Sequence, residues 1–265
     1  MDLSAIRADA EQTAILAGEM AMRYFRQPMN IGTKRNIRDM VTDGDKASEA
    51  VILPRLREAY PQFSIVSEES GRSDVQGAAY FWHIDPIDGT TNFAAGLPHF
   101  SISIALADAE NQALVGVVYD PCYKELFSAA RGMGATLNGA PIQVSGTPML
   151  EQSLLSSGFS ADRNGREIGN LNVWHDMLLY CRDLRRLGSA ALDLAYVGAG
   201  RLDGYWERGL NSWDVMAGIL VAREAGGRVS DYSGGESGLY SAGEIVASNG
   251  LIHDEMLAVI AGAGK

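Results

Sequence analysis

Two carboxylates three residues apart, Asp85 and Asp88, sit in the stretch WHIDPIDGTTNF (82–93), between an apolar run and a Gly-Thr step. Like charges that close repel unless a cation offsets them or water surrounds them. Other acids occupy similar settings at predicted strand ends and helix starts: Asp43 and Asp45 in VTDGD, Glu68 and Glu69 in VSEES, Glu207 in YWERG and Asp214 in SWDVM. Each has an ordinary role open to it. Asp-Pro and Asp-Gly pairs make turns. Asp45 can cap a helix, Asp214 can complement a helix dipole, Glu68-Glu69 can be a solvated pair, and Glu207 can be a surface residue. Several of these acids converging on one place would need cations. Hard oxygen ligands suit Mg²⁺, Mn²⁺ or Ca²⁺ better than zinc, which prefers His and Cys. The four histidines, His83, His99, His175 and His253, show no paired ligand spacing.

The elements that must position these acids can be read from periodicity. Residues 3–26 place Leu3, Ile6, Ala10, Ala14, Ala17 and Ala21 at helical spacing. VTDGDKASEAVILPRLREAY (41–60) reads as a turn and a helix, with Thr42, Asp43 or Asp45 as cap and Pro54 as a kink. FSIVSEES (63–70) is a short strand running into acid. AAYFWHID (78–85) is a strand expected to stop at Asp85-Pro86, because proline cannot donate to a ladder. Residues 99–132 read as successive strands, turning near Ala109-Glu110-Asn111 and at Asp120-Pro121. SLLSSGF (153–159) is a further strand, and 168–180 is helical.

The last third alternates: strands at 183–187, 202–207 and 244–249, and helices at 188–200, at 212–225 with Gly226-Gly227 past its end, and at 251–262. Such alternation predicts a layered α/β or α+β sandwich. The 265 residues suit one domain, and any division into subdomains, 1–150 and 151–265, falls after GAPIQVSGTPML.

The net charge of −11 argues against a nucleic-acid or anionic-membrane surface, since both favour a basic face. It also sets a puzzle for any anionic substrate. Cys122 and Cys181 form no CxxC pair. A reduced, cytoplasmic protein is the expectation, with one disulfide as the alternative. The N-terminal stretch lacks the pattern of a signal peptide, and no apolar run approaches the ~18 residues of a membrane span. Gly198, Gly200 and Gly204 do not make a dinucleotide fingerprint, and no GxSxG elbow occurs.

DPIDGTTNF (85–93) and WDVMAGILVAREAGG (213–227) resemble the two signatures of the inositol monophosphatase family. The resemblance continues through VTDGDKASE (41–49), SEES (67–70), GVVYDPCYKELFSAARGMGATLNG (116–139) and GSAALDLAYVGAGRLDGYWE (188–207). It covers nearly the whole chain in order. Thr91-Asn92-Phe93 leans toward the inositol type rather than the phosphoadenosine-phosphate type.

The resemblance implies an α+β fold, a layered αβαβα sandwich of the sugar-phosphatase type, and Mg²⁺-dependent hydrolysis of phosphate monoesters without a covalent phospho-enzyme. Glu68, Asp85, the Ile87 carbonyl, Asp88 and Asp214 would hold two or three Mg²⁺, with Asp85 bridging two of them. Thr90, bonded to Asp45, would help Glu68 activate a water for in-line attack. Gly89 and Thr90 would offer backbone N–H groups to the phosphate. Asp88, Gly188, Ser189, Ala190 and Glu207 would contact the alcohol, the helix start at 188–190 contributing free N–H groups. Lys34 aligns with a lysine near the metal site. The bound ions would reverse the local sign, which reconciles the acidic chain with an anionic substrate.

The implied substrate is a small phosphate ester, foremost myo-inositol 1-phosphate. The alternatives are fructose 1,6-bisphosphate, histidinol phosphate or a nucleotide 3′-phosphate. A different alternative is a regulatory role on the same scaffold, docking to an RNA-processing or transcription assembly through protein contacts. A homodimer with lithium sensitivity is expected, without a membrane and without direct nucleic-acid contact.

Overall fold

A computed structural model describes residues 1–159, 170–236, 239–240 and 243–263. Helix α1 (Leu3–Met22) is followed by a hairpin of β1 (Ile31–Thr33) and β2 (Met40–Thr42). Helix α2 (Asp43–Ala59) runs through Pro54 as one helix and leads into β3 (Ser64–Ser67), β4 (Gly71–Ser73) and β5 (Tyr80–Asp88). A short α3 (Thr90–Ala95) precedes β6 (Ser101–Asp108), β7 (Ala113–Asp120), β8 (Glu125–Ala130), β9 (Ala135–Leu137) and β10 (Ala140–Pro141).

The second half brings β11 (Leu154–Ser157), α4 (Leu171–Tyr180), β12 (Asp183–Arg185), α5 (Ala190–Gly198) and β13 (Gly204–Arg208). Helix α6 (Ser212–Glu224), β14 (Arg228–Ser230), β15 (Glu244–Ser248) and α7 (His253–Gly262) complete it. The helix read over 168–180 is present from Leu171; residues 168–169 lie outside the described residues.

Among the described residues the strands form an eight-stranded sheet, β10-β9-β8-β7-β6-β5-β3-β4, a five-stranded sheet, β12-β11-β13-β15-β14, and the small β1-β2 hairpin. Four apolar clusters mark the boundaries between layers. One joins α1 and α2 to the large sheet through Ile6, Ile52, Trp82 and Ile104. The next joins the other face of that sheet, at Val118 and Phe127, to Leu192, Met216 and Leu220 of α5 and α6. The third joins α5 and α6 to the small sheet through Leu194, Ile219, Tyr205 and Ile245. The last covers the outer face of the small sheet with α4 and α7, through Met177, Trp206 and Met256. The chain is therefore an α+β fold with αβαβα layering, each layer burying the apolar face of its neighbour.

Helix α6 is apolar all round from Val215 to Ala222 because it lies between two sheets. Its backbone comes so near β7 that a Cβ on Gly116 would stand 2.6 Å from Ala217 O. Cys122 and Cys181 are free thiols. No helix among the described residues is long and apolar enough to cross a membrane.

One element departs from the sequence reading. Strand β5 does not stop at Asp85 but continues through Pro86 to Asp88. Asp85 pairs with Ser103 and Asp88 with Ser101, so three steps on β5 oppose two on β6. The extra residue is a β-bulge, which accommodates proline's missing donor by leaving one position unpaired.

Candidate active site

The bulge explains how two acids three residues apart reach one place. In a regular strand, residues i and i+3 point to opposite faces. One inserted residue restores a common side for Asp85 and Asp88. Asp85 Oδ1 accepts from Ile87 N at 2.9 Å, which folds the loop back on itself. Gly89 follows with φ of 96°, a left-handed conformation that suits glycine, and α3 starts at Thr90. The Thr90 hydroxyl lies 3.2 Å from Asp45 Oδ1 and 3.0 Å from Ile87 O, both acceptors for its single proton.

Helix α2 braces this loop from outside. Its first turn is a capping box: Thr42 N and Thr42 Oγ1 donate to Asp45 Oδ2 at 2.7 and 2.6 Å, and Thr42 Oγ1 accepts from Asp45 N. Asp45 thus caps the helix with one oxygen and meets Thr90 with the other. One turn on, Ser48 Oγ donates to Pro86 O at 2.8 Å, inside the bulge. Beside it, Glu49 Oε1 accepts from Ser67 Oγ at 2.5 Å and Ser70 N at 3.0 Å, fixing both ends of the Glu68-Glu69 segment. Lys34 reaches in from the hairpin, its Nζ 2.9 Å from Glu68 Oε1 and 2.5 Å from Glu69 Oε1. The Glu68-Glu69 pair is therefore ion-paired and not merely solvated.

The sequence reading named neither Ser48 nor Glu49. Their spacing from Asp45, i+3 and i+4, was the available signal, since it puts all three on one helix face. Replacing Ser48 by Ala leaves the buried Pro86 carbonyl without its donor. It is expected to cost about 1–3 kcal/mol, measurable as a lowered midpoint in denaturant unfolding.

Asp88 is held from the C-terminal half: its Oδ2 accepts from Ser189 Oγ at 2.6 Å and Ala191 N at 2.8 Å. The helix start expected to face the alcohol is 188–190; Ala191 N–H, one residue further on, serves Asp88, and Ser189 is the helix N-cap. Asp214 stands three residues into the α6 capping box, its Oδ2 accepting from Asn211 N at 2.6 Å. Glu207, on β13, is buried and accepts from Tyr205 OH at 2.6 Å. It packs directly over Gly158.

Burial dominates the electrostatics. It pushes Asp85 and Asp214 well up from the ordinary carboxylate range, and the charges of Glu68 and Asp88 raise both further. Asp88 is raised to about 6, first by burial, against the lowering donors Ser189 and Ala191. Asp45 is also raised to about 6 and Glu207 to about 7, burial leading in each. Burial lowers His83 to about 4, so it is neutral at pH 7, its Nδ1 2.8 Å from Ser212 Oγ.

Burial thus raises Asp85, Asp88 and Asp214, with Glu68 adding to all three and Asp88 to the other two, while the nearby ammonium of Lys34 is engaged by Glu68 and Glu69. Buried charge of this kind needs a proton or a cation. The oxygen-only donor set fits a hard divalent ion. Among the described residues no three of these acids stand gathered as a preformed cage. Asp85, Asp88 and Asp214 each turn an oxygen to an amide or hydroxyl donor, as repelling carboxylates do when hydrogen bonds are within reach. A pocket of about 380 Å³ opens beside them, lined by Glu68, Gly89, Thr90 and Gly188 together with Arg38 and Arg186.

The inositol monophosphatase family model matches residues 2–263. The chain is 44% identical over 250 residues to the Nus factor SuhB of Escherichia coli K12, covering 94% of this chain and 93% of that one. It is 43% identical over 252 residues to the inositol-1-monophosphatase of a Synechocystis species, covering 95% and 87%. The solved inositol monophosphatase of an Anabaena (Nostoc) species matches with a TM-score of 0.90 at 41% identity, covering 99% and 98%. Sequence and fold agree: the chain belongs to the inositol monophosphatase family.

Proposed function

We propose that this chain hydrolyses phosphate monoesters with Mg²⁺, and that myo-inositol 1-phosphate is its preferred ester. The observation that carries the reading is the Thr90 hydroxyl, set between Asp45 and the Ile87 carbonyl beside the buried acids. Glu68, Asp85, Asp88, Asp214 and the Ile87 carbonyl would hold the ions. Bound there, Mg²⁺ would neutralise the carboxylates, polarise the phosphate and lower the pKa of water.

The remaining work belongs to the chain. Asp45, with its pKa near 6, is ionised at pH 7 and takes the Thr90 proton in a hydrogen bond. That leaves a Thr90 lone pair to orient a water, with Glu68 as the second acceptor. Backbone N–H groups of Gly89 and Thr90 hold the phosphate. Water adds to phosphorus, the ester P–O bond breaks, and the alcohol oxygen leaves with a water proton. Glu207, backed by the Tyr205 hydroxyl, accepts from ring hydroxyls.

The test is phosphate release from a panel of inositol, sugar, histidinol and nucleotide phosphates, with and without Mg²⁺. Inositol 1-phosphate is expected to give the highest kcat/KM. No release from any ester with Mg²⁺ present would refute the reading. A homodimer, lithium inhibition and a cytoplasmic setting belong to the same proposal.

The name Nus factor carried by the Escherichia coli relative favours a second, compatible reading, a protein-docking role on this scaffold. Capture of the same partner by wild type and a catalytically dead variant would support it.

A further inference from the structure

The segment that opens α5 and the loop at Gly89-Thr90 would grip opposite ends of one ester, so the distance between them matters to recognition. They belong to different halves of the chain, and the side chain of Asn92 spans them. Asn92 lies in α3, two residues after Thr90. Its Nδ2 donates to His99 O at 2.8 Å and to Leu187 O at 2.8 Å. Leu187 immediately precedes Gly188, Ser189 and Ala190. The amide is closely packed there, because a Cβ on Gly188 would stand 2.9 Å from Asn92 Nδ2. The same two stretches crowd Gly89, where a Cβ would lie 3.1 Å from Gly188 O and 3.2 Å from His99 O. The phosphate loop, the turn at 97–99 and the start of α5 therefore meet, with Asn92 at their junction.

Few side chains suit that junction. Both partners are carbonyl oxygens, which only accept, so the atom between them must supply two protons. An amide nitrogen supplies two, a hydroxyl one and a carboxylate none. Asp88 makes a separate tie, to Ser189 Oγ and Ala191 N. That tie joins α5 to a proposed metal ligand, whereas Asn92 joins residues 187–188 to α3 and the 97–99 turn.

We infer that Asn92 is a positioning residue for the alcohol: it sets the distance between the phosphate loop and the start of α5, and so governs selectivity for a hydroxylated leaving group. The inference rests on the phosphatase reading and deepens it, since inositol recognition then depends on a residue that does not touch the ester.

The test measures kcat and KM of the full chain with Mg²⁺ on myo-inositol 1-phosphate and on p-nitrophenyl phosphate, whose leaving group offers no ring hydroxyl to residues 188–190 or Glu207. Asn92→Asp keeps the shape of the side chain and removes both donors. It is expected to raise KM for inositol 1-phosphate about tenfold with kcat little changed, the scale of two lost net hydrogen bonds. Its kcat/KM for p-nitrophenyl phosphate is expected to stay within about twofold of wild type. Asn92→Ser, which keeps one donor, is expected to fall between the two, and it decides the matter if the Asp variant does not fold. Equal losses on both esters would show that Asn92 serves the fold or the phosphate loop, and would overturn the assignment. So would variants that keep wild-type selectivity. A wild type that cleaves p-nitrophenyl phosphate but not inositol 1-phosphate would overturn the inference and leave the phosphatase chemistry standing. Release from neither ester would overturn both.

Discussion

Asp88→Asn is expected to lower phosphate release by about 10²–10³-fold, the scale found when one charge-stabilising group is removed from a catalytic site. It is also expected to leave the fold intact. Asparagine has nearly the same shape, and its carbonyl oxygen can accept from Ser189 Oγ and Ala191 N as Asp88 does. What disappears is a buried acid whose charge raises the pKa of both Asp85 and Asp214. The metal-free variant should therefore be more stable than wild type, its Tm higher by about 2–4 °C for each kcal/mol of repulsion relieved. Lost activity with gained metal-free stability marks a site that trades stability for function. A variant that melts lower than wild type without metal would mean that Asp88 serves the fold. One that retains full activity would remove Asp88 from the chemistry.

The stabilising gain and the activity loss depend on features of unequal visibility in the sequence. Asp85 and Asp88 stand out because Pro86 and Gly89 punctuate an apolar run, and proline and glycine have strong local meaning. Proline nonetheless misled on the strand's end. The rule that it cannot donate to a ladder is local, whereas the bulge that absorbs it depends on pairing with Ser101 and Ser103, more than a dozen residues on.

Ser48 and Glu49 share a helix face with Asp45 in the sequence, but their partners were not legible there, for a related reason. A polar residue on a helix surface ordinarily faces water. Only the fold shows that this face of α2 meets the bulge and the Glu68-Glu69 segment. Ser189 reads in the sequence as a helix-start residue facing the alcohol. Its hydroxyl donates to Asp88 across 101 residues of chain. The layers were more legible than these contacts, because hydrophobic period reports burial directly while a long-range hydrogen bond leaves no periodic trace.

In metal-free protein, Tm is expected to fall as pH rises from 6.5 to 8, and Mg²⁺ is expected to reverse that slope. The sign follows from which state holds protons more tightly. Burial raises Asp85, Asp193 and Asp214 well above the usual carboxylate range, and Glu69 and Glu207 to about 7. In the unfolded chain these acids release their protons by about pH 5. Through the window the folded protein therefore binds more protons than the unfolded one, and stability falls with pH. Two buried histidines act oppositely. His83 and His253 are lowered to about 4 in the fold, so their contribution grows with pH only up to their ordinary value near 6.5 and is then complete. Above that point the acids act alone. A tenfold difference in proton affinity between the two states is worth about 1.4 kcal/mol, and several groups together should move Tm by about 5–10 °C. Mg²⁺ binds the deprotonated acids, so the stabilisation it adds should grow with pH over the same interval. Thermal melts in a chelator and in Mg²⁺ would decide it. A metal-free Tm that stays level or climbs above pH 6.5 contradicts the burial argument, and a Mg²⁺-induced rise in Tm that ignores pH contradicts carboxylate ligation.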